Sequence, residues 1–530
     1  MADGRKRSWW GWGWADQALD AAATSALAEQ VRPFLPLDGT VLTPPDPDAL
    51  DLTPPRLAPP PTLAGILRAD PRTRAAHAHG KAYRDVVRNL HGELANPPDL
   101  VAYPVAEADV VAVLDWASGT GTPVVPYGGG TSVVGGVEYR GDGPWASLDL
   151  STLDRVLAVD ETSLAVRVQA GVLGPAVEDH LRRYGLTLRH YPQSFEFASV
   201  GGWLATRAGG HFATGYTHID DAVEALRVVT PVGVGESLRV PASGAGPSPD
   251  RLWLGSEGTL GVIVEAWLRV LRRPQFRAGC ALSFMEYDDG VAAVREIVQA
   301  GLRPSNCRLL DPLEAMLGAG VTDGGSRLLL GFESADHPVD AALARAVEIG
   351  RGHAGTPSTS DVAGEWRGAF LRAPYRRDAL ARLGIAVETV ETACTWDRFP
   401  QLRDQVVEAV AAAGVAATGS PALVSTRFSH VYPDGPALYL TVYAAARRGA
   451  EVKIWDQLKA AASEAVTASG GTITHHHAVG RDHRPWYDRQ RPEPFAAALR
   501  AAKHALDPAG ILNPGILVGP ALARPSFVPR

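Results

Sequence analysis

Two hydrophobic periodicities alternate along the chain and predict helices and strands in turn. Residues 107–121 carry apolar side chains at helical spacing, and the apolar run at 122–127 predicts a strand after that helix. Residues 164–169 alternate apolar and polar side chains, which is typical of a half-buried strand. A helix is predicted from Pro175 to just before Gly185, and a strand pair over 252–271.

The pattern of hydrophobic and polar positions changes after Pro274, where predicted strands and helices alternate regularly. Strands are predicted at 276–287 and 326–334, and helices at 288–301 and 339–350. This order predicts an α+β domain with helices on one face of its sheet. Nearer the end, the pattern indicates a strand at the THHH segment and a helix from Phe495 to Leu506.

The N-terminal region has two unusual features. Residues 9–14 read WWGWGW and follow three basic residues, and residues 41–62 are too rich in proline for regular helix or central strand. The tryptophans either fill a groove on the protein's own body or form an aromatic, basic patch that touches a membrane surface or a partner. We found no signal peptide pattern in this region.

Composition narrows the class of protein. Among 530 residues the net charge is −7, which argues against a nucleic-acid-binding protein. The three cysteines have no CxxC spacing, so we expect neither a disulfide framework nor a cysteine-rich zinc site, and a reducing cytoplasm fits best. No apolar run approaches the length that spans a bilayer.

Three glycine-rich segments carry the first chemical signal. PYGGGTS at 126–132 follows a predicted strand, and consecutive glycines allow backbone N–H groups to converge on an anion such as phosphate. Taken alone, this segment is equally well explained as a tight turn. QSFEFASVGGWLATRAGG at 193–210 and GSEGTLGVI at 255–263 complete the series, and the three in this order are far more specific than any one of them.

In their order along the chain and their amino-acid sequences, these segments resemble the FAD-binding domain of the vanillyl-alcohol oxidase and p-cresol methylhydroxylase type. The terminal LDPAGILNPG is also similar to that family, and WGWG, CRLLD, TWDR, YPDGPALYL and THHHAVG are similar to its alkyldihydroxyacetonephosphate synthases. The resemblance implies an α+β fold, in which a two-subdomain FAD-binding domain is joined to an α/β cap domain with an antiparallel sheet. It implies an N-terminal arm at 1–62, an FAD-binding domain at 63–273, a cap at 274–470 and a returning C-terminal segment at 471–530.

The resemblance implies FAD as cofactor. We expect it to be held non-covalently, because the first segment lacks the histidine that attaches the flavin in many relatives. The residues expected to bind it are Pro126, Tyr127, Gly128, Gly129, Gly130, Thr131, Ser132, Gln193, Ser194, Glu196, Ser199, Gly201, Gly202, Thr206, Arg207, Gly209, Glu257, Gly258, Thr259, Gly261, Val262 and Ile263.

The histidine triplet His475, His476 and His477 is the main catalytic candidate. On a strand, its first and third members would face one way. A metal site lacks a supporting ligand pattern, so no metal is expected, and a simply hydrogen-bonded strand end is the other alternative. The resemblance implies acid–base work and contacts to the substrate phosphate or the leaving group for the three histidines, and a pKa near 6.5 suits proton transfer.

Tyr439 and three arginines complete the candidate site. A tyrosine in PALYL is often only core, but the resemblance implies a proton acceptor and donor, which a depressed pKa would favour. It also implies that Arg377 binds a substrate phosphate, although the neighbouring Arg376 could be the matching residue instead. Arg308 is expected to take part in catalysis. A surface ion pair with Asp311 is the structural alternative for Arg308.

The implied activity exchanges the acyl group of acyl-dihydroxyacetone phosphate for a fatty alcohol, giving an ether lipid precursor without net redox. The alternatives are oxidation of a 2-hydroxy acid on the same fold, and flavin binding without catalysis. The resemblance implies small-molecule lipid substrates and a homodimer. Lipid substrates make peripheral contact with the inner membrane surface an expectation for an otherwise cytoplasmic protein.

Overall fold

The structure is a computed structural model that describes residues 5–37, 39–216, 218–358 and 362–519. Short 3-10 turns lie in the N-terminal region and near the first sheet, at Ala15–Gln17, Pro47–Ala49, Pro61–Leu63 and Leu150–Thr152. None of the described helices is long and apolar enough to cross a membrane.

The first half of the chain contains eight helices and eleven strands among the described residues. The helices are α1 (Ala21–Val31), α2 (Pro71–Ala76), α3 (Tyr83–Leu90), α4 (Glu107–Thr120), α5 (Gly174–Arg182), α6 (Val200–Thr206), α7 (Ile219–Ala222) and α8 (Asp250–Trp253). The strands are β1 (Leu67–Arg68), β2 (Leu100–Ala102), β3 (Val124–Tyr127), β4 (Ala146–Asp149), β5 (Val156–Asp160), β6 (Ala165–Gln169), β7 (Leu186–Thr187), β8 (Val223–Thr230), β9 (Gly233–Glu236), β10 (Val262–Arg269) and β11 (Leu271–Arg272).

The second half contains eight further helices and seven strands among the described residues. The helices are α9 (Tyr287–Gln299), α10 (Pro312–Ala319), α11 (Asp340–Gly352), α12 (Val362–Arg382), α13 (Phe399–Thr418), α14 (Glu451–Ala468), α15 (Arg484–Gln490) and α16 (Glu493–Leu506). The strands are β12 (Phe276–Phe284), β13 (Asn306–Leu310), β14 (Ser326–Ser334), β15 (Thr356–Pro357), β16 (Ile385–Ala393), β17 (Leu423–Val431) and β18 (Pro436–Ala445).

Two sheets organise the first half. One has the order β1-β2-β4-β3, with β2 and β3 parallel to β4, and the other is antiparallel in the order β5-β6-β10-β8-β9. The predicted strand pair over 252–271 is partly wrong, because α8 and a loop precede β10. The polypeptide leaves β3 at the glycine segment 128–130, so the first sheet positions that segment.

The second half is built on one antiparallel sheet of seven strands in the order β15-β12-β14-β13-β17-β18-β16. Side chains alternate between its faces: Leu309 packs in the core beneath α9 and α13, whereas Leu310 packs against α10 and α12. The prediction of helices on one face is therefore wrong. The helices α10 and α12 partly cover the second face, which also lines the candidate site.

Segments from both ends of the chain return to the body. Trp9 and Trp10 lie in the large core shared by α3 and the seven-stranded sheet. At the other end, the Val124 amide donates to the Ile511 carbonyl at 2.8 Å and the Asn513 amide donates to Val124 at 2.9 Å, which ties the C-terminal segment to β3.

Candidate functional site

A cavity of about 360 Å³ lies between the three glycine-rich segments and the seven-stranded sheet. Most of the residues predicted to bind the cofactor line it: Pro126, Tyr127, Gly128, Gly129, Gly130, Thr131, Ser132, Gln193, Ser194, Ser199, Gly201, Gly202, Thr206, Gly209, Glu257, Gly258, Gly261, Val262 and Ile263. From the opposite side come Tyr439, His476, His477, Arg308 and Arg377.

The first glycine segment has the geometry of an anion site. A Cβ atom on Gly129 would lie 1.8 Å from the Phe197 carbonyl oxygen, and Gly130 has φ +66°, so both positions require glycine. In the described part of the chain, the amides of Gly129, Gly130 and Thr131 donate no hydrogen bond. Because enclosed backbone N–H groups are almost always paired, this loop fits the pyrophosphate of a dinucleotide.

The other two segments complete the cofactor side. The Ser199 hydroxyl accepts from the Gly202 amide at 3.2 Å and caps α6. Glu257 has φ +51°, and its carboxyl group accepts the amides of Val479 and Gly480 at 2.9 Å each. Burial raises the pKa of Glu257 to about 7. The C-terminal segment thus fixes the third glycine-rich loop.

Three predicted cofactor residues do not line the cavity. Glu196 is exposed, and Arg207 turns outward to pair with Asp220 at 2.9 Å. Thr259 is buried, and its hydroxyl donates to the Ser256 carbonyl at 2.6 Å, so it stabilises the loop from behind.

Tyr439 lies in a polar but enclosed environment. The guanidinium of Arg427 lies 3.8 Å from its ring centroid, and Arg427 donates to Glu314 at 2.7 Å. Burial raises the pKa of the Tyr439 hydroxyl, and the neighbouring guanidinium only partly opposes this. Tyr439 is therefore protonated at neutral pH, and the depressed pKa that would suit a proton acceptor is not found.

Arg308 is a buried cation without a carboxylate partner in the described residues. It donates to Asn306 and to the Nδ1 atom of His211, both at 2.9 Å, and lies 5.0 Å from the ring centroid of Trp366. Burial lowers its pKa to about 9. The surface ion pair with Asp311 does not form, because Asp311 instead accepts from Thr426 and caps α10.

The histidine triplet forms a turn, and the prediction of a strand there is wrong. All three amides point the same way and donate to the buried carboxylate of Glu391, at 2.6 Å from His475, 3.0 Å from His476 and 2.9 Å from His477. The Thr474 hydroxyl also donates to it. The three histidines hold the pKa of Glu391 well below its ordinary value despite its burial.

The three side chains have different surroundings. His476 and His477 line the cavity next to the Tyr439 ring, whereas His475 lies behind them. Burial lowers the pKa of His475 and of His477 to about 3, so the expectation of values near 6.5 is wrong for these two. His476 lies 3.3 Å from Glu391.

A chain of hydrogen bonds reaches the triplet from outside the cavity. His218 contacts the Tyr432 hydroxyl at 2.5 Å, Tyr432 contacts His475 at 2.8 Å, and the Nδ1 atoms of His475 and His476 are 3.0 Å apart. His430 lies close enough that His430, His475 and His476 could together hold a metal ion. Each of the three already has a hydrogen-bond partner within the protein.

The two neighbouring arginines of α12 differ in their contacts. Arg377 donates to Asp378 at 2.7 Å and to the Lys81 carbonyl at 2.6 Å. Arg376 also lines the cavity and forms no ion pair within the described residues. This geometry favours Arg376 over Arg377 as the free cation.

The comparisons with known proteins identify the two halves. Residues 98–238 match the family model described as FAD binding domain, and residues 273–517 match that of FAD linked oxidases, C-terminal domain. The chain is 29% identical over 483 residues to the alkyldihydroxyacetonephosphate synthase of Dictyostelium discoideum, covering 86% of this chain and 79% of that one. It is similar to a solved alkyldihydroxyacetonephosphate synthase, with 25% identity, a TM-score of 0.79, and coverage of 96% and 98% of the two chains.

This protein is an FAD-dependent enzyme. Its fold is also that of p-cresol methylhydroxylase, with a TM-score of 0.66 at 14% identity over 86% of this chain and 94% of that one. The predicted fold class and cofactor of the flavoenzyme are thus confirmed.

Several residues of the flavoenzyme's cavity are not evident from its sequence. They are Glu314, Trp366, Phe370, Arg427 and His430 on the cap side, and Glu391 behind the triplet. Trp12, which belongs to the tryptophan-rich segment noted in the sequence, also lines the cavity. Arg427 faces Tyr439 directly in the register of β17 and β18. Strand alternation in the sequence is consistent with that placement, but only the register between strands brings the pair together.

Proposed function

We propose that the flavoenzyme exchanges the acyl group of acyl-dihydroxyacetone phosphate for a fatty alcohol. The observation that carries this proposal is the cavity itself, where the FAD-binding loops face buried arginines, a protonated tyrosine and histidines. In the net reaction, the bond between carbon and the carboxylate oxygen breaks, and a bond between that carbon and the alcohol oxygen forms. The products are the alkyl ether, the free carboxylate and one proton, without net redox.

A dianionic phosphate requires cations that no protein carboxylate already neutralises. Arg308 and Arg376 meet this requirement and Arg377 does not, so we assign substrate binding to the first two. The stacked rings of Trp366 and Phe370 lie beside Arg308 and limit its movement. We therefore expect Arg376→Ala to raise the KM for the phosphate substrate more than Arg377→Ala does, provided that both variants retain FAD.

Proton transfer falls to His476 and Tyr439. His476 lines the cavity, and the Glu391 carboxylate lies 3.3 Å from its Nδ1 atom and orients its ring, so it is placed to accept a proton from the substrate carbon. Tyr439 holds its own proton at neutral pH and donates a hydrogen bond to developing negative charge. When bound, FAD supplies the electrophilic ring system that this chemistry needs.

The decisive experiment supplies acyl-dihydroxyacetone phosphate and a long-chain alcohol to purified holoenzyme without oxygen or another electron acceptor. Mass spectrometry is expected to detect the alkyl ether and the free fatty acid while the flavin absorbance stays oxidised. If no ether forms, and lactate or glycolate bleaches the flavin, the enzyme is instead an oxidoreductase of 2-hydroxy acids. If neither occurs in FAD-loaded protein, the proposal is wrong.

Two properties of the assembly accompany this proposal. We propose a homodimer and contact with a membrane surface, the latter because both organic substrates are lipids. Light scattering tests the first, and sedimentation with anionic lipid vesicles tests the second. A monomeric mass, or protein left entirely in the supernatant, would contradict the respective expectation.

A further inference from the structure

Residues 7–14, here called the tryptophan strap, form a closed loop at the edge of the cavity. Arg7 pairs with Trp14 across this loop, and the Ser8 amide donates to the Gly13 carbonyl at 2.8 Å. The Ser8 hydroxyl accepts from the Gly11 amide at 3.0 Å. The strap is therefore a defined structure that fixes the position of its first residue.

The strap is anchored to the cap side of the molecule. The Trp12 amide donates to Asp378 at 2.5 Å, and the Trp14 amide donates to the Tyr375 hydroxyl at 3.0 Å. A Cβ atom on Gly11 would lie 2.6 Å from Asp378, and one on Gly13 2.1 Å from the Tyr375 hydroxyl oxygen. The WGWG sequence is thus required for close approach to α12.

The same strap reaches the FAD-binding side. Trp12 lines the cavity and packs edge-on against Phe197, with ring centroids 5.9 Å apart. Arg7 lies over the Phe197 ring at 4.6 Å and donates to the Gly129 carbonyl at 3.0 Å. Its guanidinium therefore lies against the glycine loop whose amides are free.

The charges around this loop are not balanced by the protein. Arg7 is exposed and, in the described residues, forms no ion pair. A second cation, Lys81, is buried nearby. Its amide donates to the Ser132 carbonyl at 2.6 Å, its ammonium donates to the Trp9 carbonyl at 3.2 Å, and burial together with Arg7 lowers the pKa of its side chain to about 8.

The neighbouring carboxylates are already engaged. Asp149 is hydrogen-bonded to His77 at 2.9 Å, and Asp378 is paired with Arg377. Three free amides converge on the cavity side of this loop, and Arg7 and Lys81 add positive charge nearby, so the loop fits a dianion.

We propose that the tryptophan strap is part of the FAD site, with Arg7 holding the glycine loop, through the Gly129 carbonyl, in the form that binds the cofactor's pyrophosphate. Docking of the strap and binding of FAD then stabilise each other, since Arg7 fixes the loop that binds the cofactor while the amides of Trp12 and Trp14 hold α12 of the cap. This inference concerns the cofactor and does not depend on which substrate the enzyme takes.

The test compares Arg7→Ala, Arg7→Gln and Arg7→Lys with the wild-type apoprotein, titrated with FAD and separately with riboflavin. Arg5→Ala is the matched control, because Arg5 lies two residues away but pairs with the exposed Asp16. Quenching of flavin fluorescence gives each dissociation constant, at low and at high salt.

We expect Arg7→Ala and Arg7→Gln to weaken FAD binding at least about tenfold, the size of a charge-assisted hydrogen bond. Riboflavin binding should change less than twofold, Arg7→Lys should be intermediate, and Arg5→Ala should match the wild type. The salt dependence of FAD binding should be smaller in Arg7→Gln than in the wild type.

Two results would overturn the proposal. The first is an FAD dissociation constant for Arg7→Gln within twofold of the wild type. The second is equal weakening of FAD and riboflavin binding, which would show that Arg7 acts only through packing on Phe197.

Discussion

Burial keeps the Tyr439 hydroxyl protonated beside the cofactor loops. Its ring lies under Arg427 and next to His476 and His477, and burial raises its pKa. Replacement by Phe keeps the ring contacts and removes only the hydroxyl. We expect Tyr439→Phe to lower the rate of ether formation about a hundredfold or more, the usual contribution of one acid–base group, without changing the flavin absorbance spectrum.

The control for this prediction is Tyr184→Phe, because Tyr184 is exposed and does not line the cavity. Steady-state kinetics with both substrates checks both variants. A Tyr439→Phe rate within threefold of the wild type would assign this residue to packing alone.

His477 makes the folding stability depend on pH. Its pKa falls from an ordinary value of 6.5 to about 3 in the folded protein, because the side chain is buried. Between these two values the unfolded chain binds more protons, so the free energy of unfolding falls as the pH is lowered below 6.5. Between pH 7.5 and 5.5 this one group accounts for a loss of about 1.4 kcal/mol.

Between pH 7.5 and pH 5.5 the free energy of unfolding should therefore fall by about 1.4 kcal/mol less in His477→Gln than in the wild type. Urea unfolding at the two pH values measures the difference, and His337→Gln, at a side chain that is 71% exposed, should keep the wild-type dependence. Identical pH dependence in His477→Gln and wild type would contradict the lowered pKa.

The sequence identifies single residues of this site better than it identifies their partners. Tyr439, Arg308 and the triplet carry recognisable motifs, and all except His475 line the cavity. Glu391 lies in an apolar strand pattern more than 80 positions before the triplet, so nothing local connects the two. The pKa values depend on such distant partners and on burial, which explains why the value expected for His477 was wrong and why the pKa of Tyr439 is not depressed.

At the scale of elements, the first glycine segment depends on the absence of a side chain at one position. A methyl group on Gly129 would collide with the Phe197 carbonyl oxygen. That oxygen belongs to the backbone, so it cannot rotate away as a side chain could. We expect Gly129→Ala to lower the free energy of unfolding by about 1–3 kcal/mol and to weaken FAD binding more than tenfold.

Gly143→Ala is the matched control, since a Cβ atom there meets nothing within 4 Å. Urea unfolding and FAD titration measure both variants. Normal FAD affinity in Gly129→Ala would show that the loop can shift without affecting the cofactor.

Helices and strands with strong periodicity were predicted well, because local pattern decides them. The helix predicted at 495–506 corresponds to α16, and the strand predicted at 326–334 corresponds to β14. The THHH segment was predicted wrongly because a buried carboxylate, rather than a neighbouring strand, satisfies its amides. The helices on the second face of the cap sheet were missed for a different reason. A strand covered on both faces has apolar residues at successive positions, so its sequence does not show which face the helices cover.

At the scale of the whole molecule, the two halves are joined by more than the cavity. Arg189 of the FAD-binding half donates to Glu333 of β14 at 2.6 Å, and the tryptophan strap contacts both halves. The C-terminal segment also runs from the histidine triplet to Glu257 and then to β3. Binding of one cofactor molecule is therefore expected to stabilise both halves together.

This expectation is specific enough to test by hydrogen exchange. At FAD concentrations one hundred times the dissociation constant, ligand binding adds about 2.7 kcal/mol to global unfolding, equal to a roughly hundredfold slowing of exchange for amides that exchange only by that route. We expect this slowing in β6 and β10 of the FAD-binding half and equally in β14 and β18 of the cap. In Glu333→Gln, which removes one connection between the halves, the protection of β14 and β18 should fall below that of β6 and β10. If FAD protects only the FAD-binding half of the wild-type enzyme, the cap unfolds independently. A half that is stabilised by the cofactor cannot unfold without releasing FAD.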